Sequence, residues 1–226
     1  FIVRYFRYLG NAIRGDFGNS YRTRIPVLKE IATRLPNTLL LATISMIIAV
    51  SLGLPIGVLS AVKQYSAIDN AALGFSLLLT SMPGFWLAMM LILVFSVKLK
   101  LLPSLGSDSW RHFILPALAT SSSTMASTAR MTRSTMLEVI RQDYIRTARA
   151  KGAKEGTVIF GHALRNALLP VITIIGVNFG FALGGAIVIE QVFAIPGLGQ
   201  LMINSIRTKD IPMTTAAVLF AAIIAS

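Results

Sequence analysis

The chain has no cysteine, which excludes a disulfide framework, cysteine-ligated zinc or iron–sulfur centres, and a thiol nucleophile. Acid is scarce: Asp+Glu number 9 against 21 Lys+Arg, and charged residues are only 13% of the 226. A soluble domain of this length needs far more polar surface to cover itself in water. No Gly-x-x-x-x-Gly-Lys-Ser/Thr phosphate loop occurs, no nucleophile elbow surrounds a serine, and the two histidines, His112 and His162, are separated. ATP hydrolysis, serine hydrolysis and metal catalysis are therefore not expected of the chain itself, nor is a resident cofactor or metal. What is abundant is apolar surface, with 54% hydrophobic residues and mean hydropathy +0.71, the composition of an integral membrane protein. The net charge of +12 admits nucleic acid or an anionic membrane as partner, and the apolar runs favour the membrane.

Charged residues punctuate uncharged runs at Leu35–Val62 (28 residues), Asn70–Val97 (28), His112–Ala129 (18) and Asn166–Ile189 (24), each able to span a bilayer. The two longest exceed the hydrocarbon thickness and must tilt, kink or protrude, with Pro55 and Pro83-Gly84 as kink sites. Ile211–Ser226 is apolar but only 16 residues long and reads as a span cut short, while a first residue of Phe rather than Met reads as a fragment. Residues 1–34 carry seven Lys/Arg and two acids. Phe1, Tyr5, Phe6 and Tyr8, with snorkelling Arg4, Arg7 and Arg14, suit an amphipathic helix lying on the membrane, followed by a turn at Gly15–Ser20. Lys/Arg bias does not orient the chain, because eight in Arg130–Arg165 nearly balance the seven in residues 1–34.

Three features invite function. Gly176, Gly180 and Gly184, with Gly185 adjacent, form overlapping small-xxx-small repeats, and Gly53 and Gly57 repeat the pattern; either face serves packing within the bundle or contact with another subunit. Thr120, Ser121, Ser122, Ser123, Thr124, Ser127 and Thr128 form a hydroxyl cluster, read either as interhelical hydrogen bonding or as the wall of a polar path, for which Ser121, Ser122, Thr124, Ser127 and Thr128 are the candidates. The basic stretch Asp143–Glu155 predicts a short helix whose Ile145, Ala148 and Gly152 share a small face flanked by Arg149, opposite Thr147, Ala150 and Lys154. That face suits docking on a cytosolic partner, or a basic helix held against anionic lipid. Gly152 is expected where only a hydrogen fits, near the helix end, where glycine also takes the left-handed conformation.

At these residues the chain resembles the inner-membrane permeases of ABC importers, specifically the dipeptide/oligopeptide/nickel family. Those permeases carry a cytoplasmic glutamate-alanine-alanine loop with a glycine four residues on; Ala148 and Gly152 match the last two landmarks, whereas Arg146 and Thr147 replace the first two. The run Tyr144–Gly152, the late Leu169-Pro170, Gly15–Ser20, Arg34–Thr38 and Glu190–Leu201 are similar to the peptide/nickel branch.

The resemblance implies an all-α polytopic bundle of the type I importer permease fold, with five spans visible, one before residue 1 and the last truncated. It implies an extracytoplasmic interfacial segment at residues 1–34 and a transmembrane domain over 35–226. The cytoplasmic coupling loop would lie at about 140–165 and engage an ATPase through Ile145, Arg146, Thr147, Ala148, Arg149, Gly152, Ala153 and Lys154. The implied partners are a second homologous permease, two cytosolic ATPase subunits holding ATP and magnesium, an extracytoplasmic solute-binding protein and membrane lipid, without nucleic acid. The chain would sit in a bacterial or archaeal inner membrane and carry peptides, with nickel or another metal complex as the alternative in the same family. A stand-alone secondary transporter or channel is the alternative of another class; the long runs contain no acid of the kind that couples ions.

Overall fold

A computed structural model of the chain describes residues 10–12 and 14–225. The interfacial residues Phe1, Arg4, Tyr5, Phe6, Arg7 and Tyr8 lie outside the described residues. Among the described residues from 14 onward the α-helices are α1 (Val27–Val62), α2 (Ala67–Ser81), α3 (Gly84–Leu91), α4 (Ile114–Ile140), α5 (Asp143–Ala150), α6 (Leu164–Val192), α7 (Leu198–Arg207) and α8 (Ile211–Ala225). Wide π-helical turns extend α3 through Ile92–Lys98 and precede α6 at Thr157–Ala163.

The first uncharged run begins at Leu35, yet α1 starts eight residues earlier and includes Lys29, Glu30 and Arg34. Charge sets where a helix leaves the hydrocarbon, not where it begins; Pro26 precedes the start and Glu30 in the first turn complements the helix dipole. At 36 residues α1 is about 54 Å long, and it runs unbroken through Pro55. The kink expected there does not interrupt it. Pro83 does divide its run, because the residue before a proline is pushed out of the helical region: Met82 is extended at φ −84, ψ 128, and α2 and α3 diverge by 101°.

By length and apolarity α1 and Thr157–Gly184 can each cross a membrane, and the bent pair α2–α3 counts as a third, broken span. Helix α4 has the length, at 27 residues, but a low apolar content, since it carries the hydroxyl cluster.

Two compact units divide these helices. One comprises Phe1–Ala42, Ala88–Pro116 and Leu183–Ser226, the other Thr43–Leu87 and Ala117–Ala182. In the first, Val27 and Ile31 of α1 pack on Leu198, Leu201, Met213, Ala216 and Ala217, with Phe17 and Phe220 rings 5.3 Å apart. In the second, Val58, Ala61, Met136, Ile145, Val158 and Ile159 form the core.

Within the second unit, Gly53 and Gly57 let α1 touch the backbone of α4. A Cβ at Gly53 would lie 2.7 Å from the Met125 carbonyl oxygen, and one at Gly57 would lie 2.6 Å from Thr132 Cβ. Lipid gives little hydrophobic drive for helix association, so this close approach supplies the packing. Gly57→Leu is expected to lower the thermal midpoint of the purified protein, at a cost of about 1–3 kcal/mol or more from overpacking. Gly74→Ala, where nothing lies within 4 Å, is expected to leave it unchanged or slightly raised in fluorescence-detected size-exclusion melts.

Candidate functional site

The basic stretch folds as α5, and Lys151-Gly152-Ala153 ends it. Gly152 sits at φ 81, the left-handed region that costs a residue with a Cβ about 1–2 kcal/mol. Its N–H donates to the Arg149 carbonyl at 2.9 Å, and Ala153 N–H to the Ala148 carbonyl at 3.2 Å, the two bonds of a Schellman cap. Beyond its chain neighbours, nothing in this chain lies within 4 Å of a Cβ at Gly152, so within the chain itself conformation and not space calls for the glycine.

The orientation of α5 corrects one expectation. Ile145 is fully buried and Ala148 and Ala153 pack on the core of Val58, Ala61, Met136, Val158 and Ile159, so two members of the small face foreseen as a docking surface, Ile145 and Ala148, are held by the chain itself while Gly152 stays exposed. A helix of eight residues needs such an anchor, and Ile145 is its only aliphatic side chain larger than alanine. The outward side presents Arg146, Thr147, Arg149, Ala150, Lys151, Gly152 and Lys154. Arg149 closes the loop on itself, with Nη2 donating to Glu155 Oε1 at 2.7 Å and Nε to Oε2 at 3.2 Å. That hydrogen bonding holds the Glu155 carboxyl below the ordinary glutamate range and raises the guanidinium of Arg149. Asn166 Nδ2, donating to Tyr144 Oη at 2.8 Å, fastens α5 to the start of α6.

Of the five candidate wall hydroxyls, Ser121, Ser122, Thr124 and Thr128 are buried within the chain, and Ser127 is half-buried; beside it Ser123 is exposed. Ser121 donates to the Leu118 carbonyl at 3.1 Å and Ser122 to the Ala119 carbonyl at 2.9 Å, so these two satisfy their own helix and not another. Among the glycines, nothing in the chain lies within 4 Å of a Cβ at Gly176 or Gly184, and Gly180 is half-buried. The repeat at Gly53 and Gly57 is used inside the chain.

Two stretches singled out in sequence, Arg34–Thr38 and Glu190–Leu201, meet in the first unit. Glu190, fully buried, receives the Thr38 hydroxyl at 2.5 Å and the Gln200 N–H at 3.1 Å. Thr38 Oγ1 in turn accepts the Leu198 N–H at 2.8 Å. The N-cap of α7 is Gly197, which has no side chain to cap with, so the exposed N–H groups of its first turn are satisfied by a carboxylate and a hydroxyl from two other helices. Gly197 is required because a Cβ would overlap the Glu190 carboxyl, and Asn37 Nδ2 donates to the Pro196 carbonyl at 3.0 Å. The distances in sequence hid this clasp; the signal available was an acid at the edge of an uncharged run in a chain with few acids.

The turn at Gly15–Ser20 is tied down in the same unit. Asp210, 4% exposed, accepts the Ser20 hydroxyl at 2.5 Å and the N–H groups of Tyr21, Arg22 and Met213. Burial pushes the Asp210 carboxyl up, but these hydrogen bonds, Ser20 foremost, together hold it below the ordinary value.

With the fold and these surfaces defined, the comparisons with known proteins agree. Residues 53–226 match the family described as "Binding-protein-dependent transport system inner membrane component". The chain belongs to this family and is a permease subunit of an ABC importer, a multi-pass component of the inner membrane and not itself a catalyst. Within it the chain falls in the dipeptide/oligopeptide/nickel branch. It is 45% identical over 216 residues to the glutathione transport system permease protein GsiC of Escherichia coli (strain K12), covering 96% of this chain and 71% of the relative. The GsiC of Salmonella paratyphi A is 45% identical over 217 residues, with the same coverage. In fold, the chain superposes on an inward-facing structure of the MetNI methionine ABC transporter with TM-score 0.72 at 21% identity, covering 86% of this chain and 89% of the other. An amino acid ABC transporter solved with histidines gives TM-score 0.69 at 16% identity, covering 87% and 88%. The expected all-α type I importer permease fold is therefore correct.

Two measurements test the clasps. Thr38→Val removes one donor and one acceptor from a buried carboxylate and helix end, and should cost about 2–3 kcal/mol in thermal unfolding, whereas Thr38→Ser keeps the hydroxyl and should cost under about 1 kcal/mol. For Asp210 the folded carboxyl titrates below the unfolded one, so its stabilisation is complete above the ordinary aspartate value of about 3.8 and is lost as pH falls below it. Amide-exchange protection of Tyr21 and Arg22, corrected for intrinsic rates, should be flat between about pH 5 and 8 and fall below about 4, and Asp210→Asn should abolish that dependence.

Proposed function

We propose that this permease forms half of the translocation pathway for small peptides, glutathione-like peptides among them, and converts the action of two cytosolic ATPase subunits into transport. The observation that carries the coupling role is α5: a short helix anchored by Ile145, ended at one defined residue by Gly152, and presenting an outward basic side. In this reading α5 and the loop around it face the cytosol, residues 1–34 lie outside, and a second homologous permease completes the pathway. An extracytoplasmic binding protein delivers the substrate. ATP and magnesium belong to the ATPase subunits, with no cofactor or metal in this chain. Arg146, Thr147, Ala150 and Lys151 are assigned to the ATPase contact, with Arg149, Gly152, Ala153 and Lys154 shaping the loop, while Ile145 and Ala148 hold it to the bundle. Ser127, with Ser123 beside it, is assigned to the pathway wall. The open faces of Gly176 and Gly184 are assigned to subunit contact.

Peptides are favoured over nickel because the 45%-identical relatives are named for glutathione, a peptide. Uptake of labelled glutathione and dipeptides into vesicles holding both permeases and both ATPases should require ATP and the binding protein. Uptake by this chain alone, indifferent to ATP, would sink the proposal. In the same vesicles Gly152→Asn, which tolerates the left-handed region, should keep more transport than Gly152→Leu, with both variants inserted normally; a loss of about tenfold is expected for Leu.

A further inference from the structure

The second unit contains an ion pair, with Asp69 buried and Arg133 half-buried, that the function so far does not use. Arg133 of α4 donates from Nε to Asp69 Oδ1 at 2.6 Å and from Nη2 to Oδ2 at 2.7 Å, a bidentate fork. Asp69, in the first turn of α2 and 1% exposed, also accepts the Ser60 hydroxyl from α1 and the Tyr65 N–H at 2.9 Å from the turn between them. Tyr65 is held at φ 62 and Ser66 caps α2 by accepting the Asp69 N–H at 3.3 Å, so the turn is fixed from several sides. One carboxylate thus joins α1, the turn, α2 and α4.

Stability alone does not account for the pair. Apolar residues of similar volume often stabilise as well as such a pair does, because a carboxylate buried as Asp69 is gives up its hydration. What a bidentate fork supplies is geometry, fixing distance and register together. Register is what the neighbouring contact lacks. Gly53 and Gly57 give α1 a shallow face against α4 on which only the short Thr128 and Thr132 side chains sit, which allows close approach but opposes sliding along the helix axis only weakly. Ion pair and glycine contact share one stretch of α4: Thr132 faces Gly57, and Arg133 is the next residue. Helix α5 rests on both partners, with Ile145 packed among Val58 and Ala61 of α1 and Met136 of α4. A displacement of α5 reaches the spans as one movement only if α1 and α4 stay in register.

We infer that Asp69 and Arg133 form a positioning pin that keeps α1, α2 and α4 moving together with α5, so that ATP hydrolysis by the partner subunits is converted into transport. The inference rests on the coupling role proposed for α5. It assigns the pair to transmission, not to contact with substrate or nucleotide. A lysine at 133 keeps the charge but loses the fork, and register should loosen while the pair survives.

The test uses the full complex of both permeases, both ATPases and the binding protein in vesicles, reading ATP hydrolysis and glutathione uptake together. Arg133→Lys is expected to assemble and to hydrolyse ATP within about twofold of wild type, while uptake per ATP falls about fivefold or more. The apolar double variant Asp69→Leu with Arg133→Met guards against a mere folding defect: its thermal midpoint should match or exceed that of Arg133→Lys, and its uptake per ATP should remain low. Wild-type uptake per ATP in the double variant would overturn the pin and leave the pair as packing, with the importer reading intact. A wild-type complex that shows no ATP-driven uptake would instead strike down the importer reading and the pin with it.

Discussion

The constraint on which this structure depends is that a polar group inside a membrane helix bundle must bring its own partner. Water is not there to supply one, and each unsatisfied group costs several kcal/mol, of order 2–7 by transfer measurements. Three buried carboxylates show how the chain meets the constraint. Glu190, Asp69 and Asp210 each accept an N–H group that a nearby helix end or turn leaves open, and each also takes a side-chain partner from a distant segment, Thr38, Arg133 and Ser20 respectively. Their partners are hydroxyls and backbone amides for Glu190 and Asp210, and a guanidinium with a hydroxyl and an amide for Asp69. Three of the chain's nine acids thus join segments distant in sequence.

Apolar packing then works at two scales. Where α1 and α4 meet, glycine lets the backbones approach directly. Where α5 meets the bundle, a single isoleucine fills a core made by α1, α4 and the turn before α6. The second arrangement leaves the other side of α5 outward, where Arg149 holds Glu155, and Arg146, with Lys151 and Lys154 beyond the helix end, faces solvent or a partner.

Much of this was legible in the sequence and some was not, for physical reasons. Uncharged runs located the two helices and the one bent pair that can span, because transfer free energy is read residue by residue, while the run at 112–129 fell in the hydroxyl-rich α4, and the motifs around Gly152 and Glu190 located the family. Helix ends were harder: Lys29, Glu30 and Arg34 belong to α1 although they interrupt its apolar run. Pro55 and Pro83 looked alike, yet only Pro83 ends a helix, with Met82 before it extended. The face of α5 was misread because a helical wheel shows which residues cluster but not whether the chain or a partner covers them. The pairs Thr38–Glu190 and Asp69–Arg133 were hidden altogether, since periodicity carries no information about which helices become neighbours.

The hydroxyl residues of α4 have a mechanical consequence. A serine or threonine that bonds back to a carbonyl one turn earlier competes for the acceptor of the helical ladder and softens the helix there. Ser121 and Ser122 do this near one end, and Thr135, reaching the Met131 carbonyl at 3.0 Å, does it near the other. Between them Met125, Ala129 and Thr132 lie against the glycines of α1. Bending strain placed on α4 therefore collects first at residues 118–122, the softened end held by neither the glycines of α1 nor the Arg133 fork.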